Sequence, residues 1–283
     1  MDIIIPQVIV FLVMMLLFFI TFKRDNTKIT IKEMTIITLL CVLTAVLSKT
    51  LSIKFPPAQP IFVISFASAI AITIGVLFSP KMALIAGLIT DLIGLMLAPA
   101  SGDNSMPFLG FTLTAMLACY IPSILIRVTK GKKQATLHLI VIGILLSSLA
   151  IAALYLFNTQ SISIDQNQND LTDSLRYAIL GSLVLIAIGI IVINYIMNKK
   201  VNPIKNLNIT TTQLTVIVLA VEIVCHIILT SLWINIMYGV PYMIAAGTRV
   251  IKALLMLPLN VGIIYLILKY IPIEYKKHLL KDE

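Results

Sequence analysis

Charged residues are scarce in this chain of 283 residues. Asp, Glu, Lys and Arg make up only 12% of it, whereas apolar residues make up 59%. A soluble domain carries about 25% charged residues, so a chain of this size with so few charges lacks the polar surface that water requires. The scarcity excludes an ordinary soluble protein and indicates one that is embedded in a lipid bilayer.

Catalytic and nucleotide-binding motifs are also missing. The sequence has no G-x-x-x-x-G-K-[ST] loop for ATP, no H-E-x-x-H zinc helix and no G-x-S-x-G turn. Its three cysteines, Cys41, Cys119 and Cys225, lie in apolar runs without C-x-x-C spacing. These absences predict a protein that is not an enzyme and that uses no cofactor or metal. Any uphill transport must draw on an ion gradient or on a partner ATPase.

Long apolar runs dominate the sequence instead. About 20 apolar residues cross a bilayer as a helix, and continuous rather than alternating runs favour helices over barrel strands. The predicted fold class is therefore an all-α integral membrane protein with about nine transmembrane helices. The runs lie at 3–22, 35–51, 61–78, 82–97, 108–126, 137–157, 177–197, 214–238 and 243–271.

The charges of the connecting loops fit one orientation of these helices. A net charge of +9 would suggest nucleic acid in a soluble protein, but here the cations occupy alternate loops, as the positive-inside rule requires. We therefore expect no nucleic-acid partner and a multi-pass protein of the cell membrane, with the N-terminus outside and the C-terminus in the cytoplasm. The predicted cytoplasmic loops carry Lys23, Arg24, Lys28, Lys32, Lys81, Arg127, Lys130, Lys132, Lys133, Lys199, Lys200 and Lys205.

A few charged residues fall inside or beside the predicted spans, where they are costly and usually serve a function. Lys49, Arg249 and Lys252 lie in the outer halves of their helices, and Lys54 follows in an outer loop. Arginine holds a carboxylate through two parallel hydrogen bonds, so this grouping predicts an outward-facing pocket for an anionic ligand. The alternative is that these side chains extend to the interface or pair with Asp91.

The eighth predicted helix carries further candidates. Glu222 and His226 are one helical turn apart, which suits a structural hydrogen-bonded pair or a proton relay. Trp233, Asn235 and Tyr238 follow toward its outer end. The aromatic side chains suit either the membrane interface or stacking on a flat ligand ring.

Several stretches match one family pattern in order and spacing. The most specific are LWINIMYGVPY at 232–242 and TRVIKALLMLP at 248–258, which are similar to L-W-x-x-x-x-Y-G-x-P-[FY] and R-x-I-K-x-x-x-x-x-P. The chain thereby resembles the folate family of substrate-binding S components of energy-coupling factor (ECF) vitamin transporters. Supporting stretches are AVLSKTLSI at 45–53, ISF at 64–66, LFSP at 77–80, GLITDLIG at 87–94 and GFTLTA at 110–115.

The resemblance implies a six-helix S-component-like bundle that captures its vitamin from outside. Residues 34–128 would form core helices 1–4, and residues 207–283 would form core helices 5–6 and a cytoplasmic tail. Residues 1–26 would be an extra N-terminal transmembrane helix. Residues 129–206 would be an inserted two-helix hairpin, which leaves the orientation of the core unchanged.

The resemblance also implies partners and site residues. Family members associate in the bilayer with a transmembrane T subunit and two ATPase subunits, and the implied ligand is a folate-like small molecule. The implied substrate-binding residues are Lys49, Phe66, Asp91, Trp233, Asn235, Arg249 and Lys252. The implied gating loops contain Pro56, Pro57 and Asp103, and Cys41 and Ala45 are the implied contacts to a partner helix.

The chain departs from the family pattern in ways that leave alternatives open. Lys49 stands where the family usually has Arg, and Val63 stands where it tends to have Arg. Another vitamin or precursor is therefore an alternative ligand. A self-sufficient ion-coupled transporter with proton sites at Asp91, Glu222 and His226 is the alternative from another class, although the two halves show no inverted repeat.

Overall fold

Helices account for nearly all of the computed structural model, which describes residues 4–27, 30–50, 53–55, 62–98, 107–130, 132–158, 161–164, 167–170, 173–200 and 209–270. The helices are α1 (Ile4–Arg24), α2 (Ile31–Thr50), α3 (Ala67–Leu77), α4 (Pro80–Leu97), α5 (Leu109–Thr129), α6 (Gln134–Asn158), α7 (Asp173–Lys200), α8 (Thr211–Val221), α9 (Thr230–Tyr238) and α10 (Tyr242–Tyr270). A π-helical segment, Glu222–Leu229, joins α8 to α9.

Eight stretches of helix in the described part of the chain are long and apolar enough to cross a membrane. One of them, Thr211–Tyr238, combines α8, the π-helical segment and α9. The shorter apolar helix α3 makes nine with them. The predicted all-α membrane fold is therefore confirmed, and each of the nine predicted apolar runs corresponds to one of these stretches.

Two short antiparallel hairpins interrupt the helical order. Strand β1 (Ile53–Phe55) pairs with β2 (Phe62–Ile64), and β3 (Ser161–Ile164) pairs with β4 (Asn167–Asp170). The second hairpin lies in the polar segment between α6 and α7. Neither hairpin was predicted, because three- or four-residue strands are too short for periodicity to detect.

The third helix is shorter than the sequence predicted. A helix over 61–78 was expected, but α3 begins at Ala67 because Phe62–Ile64 pairs with β1. Its 11 residues span about 16 Å at 1.5 Å per residue, about half of a bilayer core of about 30 Å. The remaining half of this crossing contains β2, which contacts α10. Non-helical backbone at such a depth is tolerated where protein covers it or where it lines a cavity.

Small residues bring α5 close to its neighbours. A Cβ atom placed on Gly75 of α3 would lie 2.1 Å from the carbonyl oxygen of Cys119, and one on Gly87 of α4 would lie 2.5 Å from Cα of Met116. These distances are too short for any side chain. Glycine therefore lets α3 and α4 pack directly on the α5 backbone, as small residues do between membrane helices.

The helices predicted to form the core contact one another. Helices α2, α3, α4 and α5 pack together, α8 contacts α5, and α10 contacts both α3 and α8. The predicted additions lie on different neighbours: α1 packs on α4 and α5, whereas α6 and α7 pack on α8 and α10. The arrangement is compatible with a six-helix core and three added helices.

Asp25 ties the N-terminal helix to α4. Its carboxylate accepts hydrogen bonds from the backbone N–H of Lys81, at 3.0 Å, and from that of Thr27, at 3.1 Å. Burial acts to raise the pKa of Asp25, but these hydrogen bonds and those from the Thr27 and Ser79 side chains outweigh it and lower the pKa below its usual value. We call this end of the bundle, which carries Lys81 and residues 127–133, the basic end. The opposite end, with β1 and β2, is the hairpin end.

Candidate functional site

One face of α10 carries a polar stripe into the interior of the bundle. Arg249, Lys252, Met256 and Asn260 follow one another at intervals of three or four residues, which places them on a common helix face. Arg249 is 5% exposed and Asn260 is fully buried. Charged and amide side chains are expensive at such positions, so this face is the first candidate for a site.

A hydrogen-bonded chain links this face to two other helices. The Ser68 hydroxyl of α3 donates to Asn260 Oδ1 at 3.3 Å, and Asn260 Nδ2 donates to Glu222 Oε1 at 3.0 Å. Glu222 is 2% exposed. The charges of Lys252 and Arg249 act on its carboxylate. The site is therefore a buried carboxylate that faces two cations beside the start of the short helix α3.

Glu222 belongs to a local change of helix type. The segment Glu222–Leu229 is π-helical, and both the backbone N–H and the hydroxyl of Thr230 donate to the carbonyl of Cys225, five residues back. Such widened turns are rare and frequently occur at functional sites. Their presence between α8 and α9 supports a functional rather than a purely structural role for Glu222.

The predicted hydrogen bond between Glu222 and His226 is wrong. Glu222 accepts from Asn260 instead, and neither Glu222 Oε2 nor His226 Nε2 has a hydrogen-bond partner among the described residues. The prediction considered only neighbours within one helix, whereas the partner of Glu222 comes from α10. His226 still lies within range of the charges of Lys252 and Arg249.

A second carboxylate within a long apolar helix, the half-buried Asp91, lies between other helices. Thr112 Oγ1 of α5 donates to Asp91 Oδ2 at 2.7 Å, and the charge of Lys49 acts on the same group. Three of the cations that were predicted to share one pocket therefore divide into two sets. The charge of Lys49 acts on Asp91, whereas the charges of Arg249 and Lys252 act on Glu222.

Trp233 is a packing residue at the hairpin end. Its ring is 6% exposed, its Nε1–H donates to Thr114 Oγ1 at 3.0 Å, and it meets Phe108 edge-on with centroids 5.6 Å apart. A Cβ atom on Gly110 would lie 2.6 Å from the Trp233 ring. The indole is covered by protein, and it occupies neither a membrane interface nor an open stacking position.

Asn235 shapes the turn between α9 and α10. Its Nδ2 donates to the carbonyl of Val240 at 2.8 Å, and Gly239 ends α9 with a φ of 68°, in the left-handed region that glycine favours. Asn235 therefore sets the approach of the chain to α10 and, through it, the position of the polar stripe.

Phe66 remains open for contact with a ligand. It precedes α3 and is 39% exposed, while the neighbouring Ser65 hydroxyl accepts from the backbone N–H of Ala67 at 3.2 Å. The predicted gating residues Pro56, Pro57 and Asp103 lie outside the described residues.

The small residues of α2 lie inside the chain. Cys41 is fully buried, with its Sγ 3.4 Å from the carbonyl oxygen of Ala86, and Ala45 is 1% exposed. A helix of another subunit that approached α2 would first meet the exposed apolar side chains of the opposite face. Those side chains are Leu39, Val42, Leu43 and Val46.

Helix α6 supports α10 near its N-terminal end. A Cβ atom on Gly247 would lie 2.1 Å from Cδ2 of Tyr155, so the aromatic ring packs directly on the α10 backbone. Gly247 is two residues before Arg249. The predicted inserted hairpin thus contacts α10 on the face opposite the polar stripe, which the sequence did not indicate.

A groove lies on another part of α10. It has an empty volume of about 450 Å³ and is bordered by Leu257, Pro258 and Tyr265 together with residues of α7 and α8. Its polar side chains Asn194 and Thr215 are hydrogen-bonded to each other at 3.0 Å. Because the groove contains none of the charged groups, we place the site at Glu222, Arg249 and Lys252.

Sequence analysis missed Ser68, Thr112 and Asn260. Hydroxyl groups are common in membrane helices, so Ser68 and Thr112 gave no signal. Asn260 offered one, since it lies on the same α10 face as Arg249 within an otherwise apolar stretch.

The short helix α3, preceded by a strand, and the buried charges of Glu222 and Arg249 together indicate the class of protein. A multi-pass membrane protein with irregular backbone at membrane depth beside interior ionisable groups has the features of a transport protein's substrate site. The sequence model of the family "ECF transporter, substrate-specific component" matches residues 32–198. The chain belongs to this family, and it is therefore a substrate-binding subunit of a transporter and not an enzyme.

Comparisons with curated proteins and with solved structures are less informative than the family match. No curated protein gives a significant match. Among solved structures, a crystal structure of FolT bound with folic acid is similar at 18% identity, covers 86% of this chain and 96% of that chain, and has a TM-score of 0.49. The family match includes α6 and most of α7, so the division into a core and an inserted hairpin stays a prediction.

Proposed function

We propose that this chain captures a folate-like anionic vitamin at the hairpin end and delivers it to an ECF module. In that module a transmembrane T subunit and two ATPase subunits would drive uptake with ATP. The observation that carries the proposal is the placement of Arg249 and Lys252 on the buried face of α10, opposite the half-length helix α3.

The chemistry of the site suits such a ligand. A folate carries carboxylates and a flat pterin ring. Arg249 offers a planar fork of donors that matches a carboxylate, and Lys252 adds a second positive charge. Phe66, which is partly exposed at the start of α3, is the aromatic side chain available to stack on the pterin.

The orientation follows from the loop charges. The basic end carries Lys81, Arg127 and Lys130, so the positive-inside rule places it in the cytoplasm and the hairpin end outside. The N-terminus before α1 then lies outside and the C-terminus after α10 lies in the cytoplasm. The vitamin enters from the side at which Arg249 and Lys252 lie.

The same orientation leaves α2 available to the T subunit. Its exposed apolar face, which includes Val42 and Leu43, suits a partner helix in the bilayer. Cys41 and Ala45 act from the buried side, where their small size holds α2 close to α4 and sets the position of the exposed face.

Binding to the purified protein tests the proposal. Folic acid should raise the melting temperature of the detergent-solubilised full chain, and folate should co-purify with it. Arg249→Ala should weaken binding at least 30-fold, which corresponds to about 2 kcal/mol for losing a buried charge contact, with expression unchanged. Arg127→Ala at the basic end is the matched control. A different vitamin in the purified protein, with no response to folic acid, would contradict the folate assignment.

Uptake in cells tests the coupling to ATP. Transport of labelled folate should require the ATPase subunits of an ECF module as well as this chain. Uptake that persists in cells without those ATPases would instead support an ion-coupled carrier.

A further inference from the structure

Among the residues that the structure describes, Glu222 is the one acidic group at a site proposed for an anion. The neighbouring groups come from three elements: Arg249, Lys252 and Asn260 of α10, Cys225 and His226 of the π-helical segment, and Ser68 of α3. A carboxylate would repel an anionic ligand. Its presence at the centre of the site therefore requires an explanation.

The surroundings of Glu222 favour a charge-balancing role when no ligand is bound. Arg249 and Glu222 are both nearly inaccessible to solvent, and unbalanced charges in such surroundings are strongly unfavourable. The carboxylate offsets part of the positive charge of Arg249 and Lys252. It thereby keeps both cations in the bundle without an external anion.

A bound anion changes that balance. When a ligand carboxylate contacts Arg249 and Lys252, it takes over the compensation that Glu222 provided. Glu222 is then a buried carboxylate that shares its cations with a second anion, and like charges at one site disfavour ionisation of one of them. Adding a proton to Glu222 removes the repulsion.

We propose that Glu222 is an internal counter-anion for Arg249 and Lys252 and takes up one proton when an anionic ligand replaces it at these cations. This inference rests on the proposed function of the same site. The proton comes from solvent and bonds to Oε2, which has no hydrogen-bond partner among the described residues. Oε1 keeps its hydrogen bond from Asn260, and no other covalent bond is made or broken.

The proposal makes Glu222 a determinant of ligand charge. A neutral ligand gains nothing from Arg249 and Lys252 and leaves the counter-anion in place. An anionic ligand binds together with a proton, so its affinity rises as the pH falls. For one proton per ligand, the limiting dependence is about tenfold in affinity per pH unit.

Calorimetry on the full chain tests the proton. Folic acid is titrated into the wild-type protein and into Glu222→Gln in buffers with different ionisation enthalpies, at several pH values. Wild type should take up close to one proton per ligand. Glu222→Gln should still bind folic acid, but without this proton uptake and without the pH dependence of the affinity. Protonation of folic acid itself cancels in the comparison. Equal uptake in both proteins, or uptake lost in His226→Gln but kept in Glu222→Gln, overturns the proposal.

Glu33→Gln is the matched control. Glu33 lies at the other end of the bundle from the polar stripe, where it accepts from the backbone N–H of Thr30 at 2.9 Å and the Thr30 hydroxyl accepts from its backbone N–H. Glutamine keeps this capping box. The control should therefore show the wild-type uptake and affinity, and a loss of uptake here would also overturn the assignment to Glu222.

A second measurement needs no ligand. Melting temperatures are compared for wild type, Glu222→Gln, Lys252→Met and the double variant. Glu222→Gln alone should lower the melting temperature because two buried cations lose their counter-charge, and adding Lys252→Met should recover much of the loss. Purely additive effects overturn the counter-anion. Coupled effects without any binding of folic acid support the counter-anion while refuting the proposed ligand.

Discussion

The two carboxylates within the long apolar helical stretches, Asp91 and Glu222, have different surroundings. Asp91 is only half-buried and pairs with a hydroxyl, that of Thr112, and with the charge of Lys49. Glu222 is almost fully buried and depends on an amide, that of Asn260, and on two cations. The difference indicates that protein covers Asp91 only in part, whereas the α10 side must supply the partners of Glu222 from protein or ligand.

The largest expected difference is in the free energy of unfolding when the hydroxyl or amide partner of each carboxylate is replaced. Asn260→Leu removes a donor from a carboxylate that water cannot reach, so we expect a loss of about 3 kcal/mol in the free energy of unfolding. Thr112→Val at Asp91 should cost less than about 1.5 kcal/mol, because Asp91 is only half-buried and keeps the compensating charge of Lys49. Denaturation of both variants in detergent measures the difference. Equal losses would show that the two carboxylates are equally dependent on protein partners.

The support of α10 by α6 should have the next largest effect. Gly247→Ala forces a methyl group into the ring of Tyr155, and overpacking of this kind costs about 1–3 kcal/mol. Because the clash would displace α10, which carries Arg249 on its opposite face, ligand affinity should fall as well. Gly262→Ala, in the same helix with nothing within 4 Å of the new Cβ, is the control and should change neither property. An affinity unaffected by Gly247→Ala would separate α6 from the site.

Replacement of Trp233 should have a smaller effect on stability. Trp233→Phe keeps much of the ring contact with Phe108 but loses the hydrogen bond to Thr114, so we expect a loss of about 1–2 kcal/mol in stability. Its effect on folic acid binding should be slight because the indole is enclosed by protein. A selective loss of binding at unchanged stability would restore Trp233 as a ligand contact.

The smallest effect is expected at Asp25. Asp25→Ala removes an acceptor from the first turn of α4 and should cost about 0.5 kcal/mol. Because the folded state lowers the pKa of Asp25, its contribution is present above the unfolded pKa of about 4 and is lost as the pH falls through the folded value. The melting temperatures of wild type and Asp25→Ala should therefore differ at neutral pH and converge at acidic pH. A constant difference would assign the effect to packing.

Much of the fold could be predicted from the sequence because the bilayer imposes a simple rule. Apolar runs of sufficient length must be helices, and eight of the nine predicted spans are long helices. The exception is α3, where the apolar residues Phe62–Ile64 form a strand. Hydropathy does not distinguish an apolar strand buried by protein from the start of a helix.

The site was predicted only in part for a related reason. Arg249 and Lys252 were identified because charge is rare in lipid, and that argument depends on composition alone. The partners of Glu222 and the enclosure of Trp233 depend on tertiary packing, which a single sequence does not specify. The π-helical segment, Glu222–Leu229, was also not predicted, because hydrophobic periodicity does not reveal a local widening of a helix.

The π-helical segment also sets how α9 is rotated about the helix axis relative to α8 within the span Thr211–Tyr238. Successive residues of an α-helix turn by about 100°, so the additional residue in the widened turn offsets the facing of α9 from that of α8. Helix α8 can thus face α5 and α6 while α9 directs Trp233 toward Phe108. A single-residue deletion between Glu222 and Leu229 would remove this offset. The span would keep its length to within one residue, but one of its halves would face the wrong neighbours.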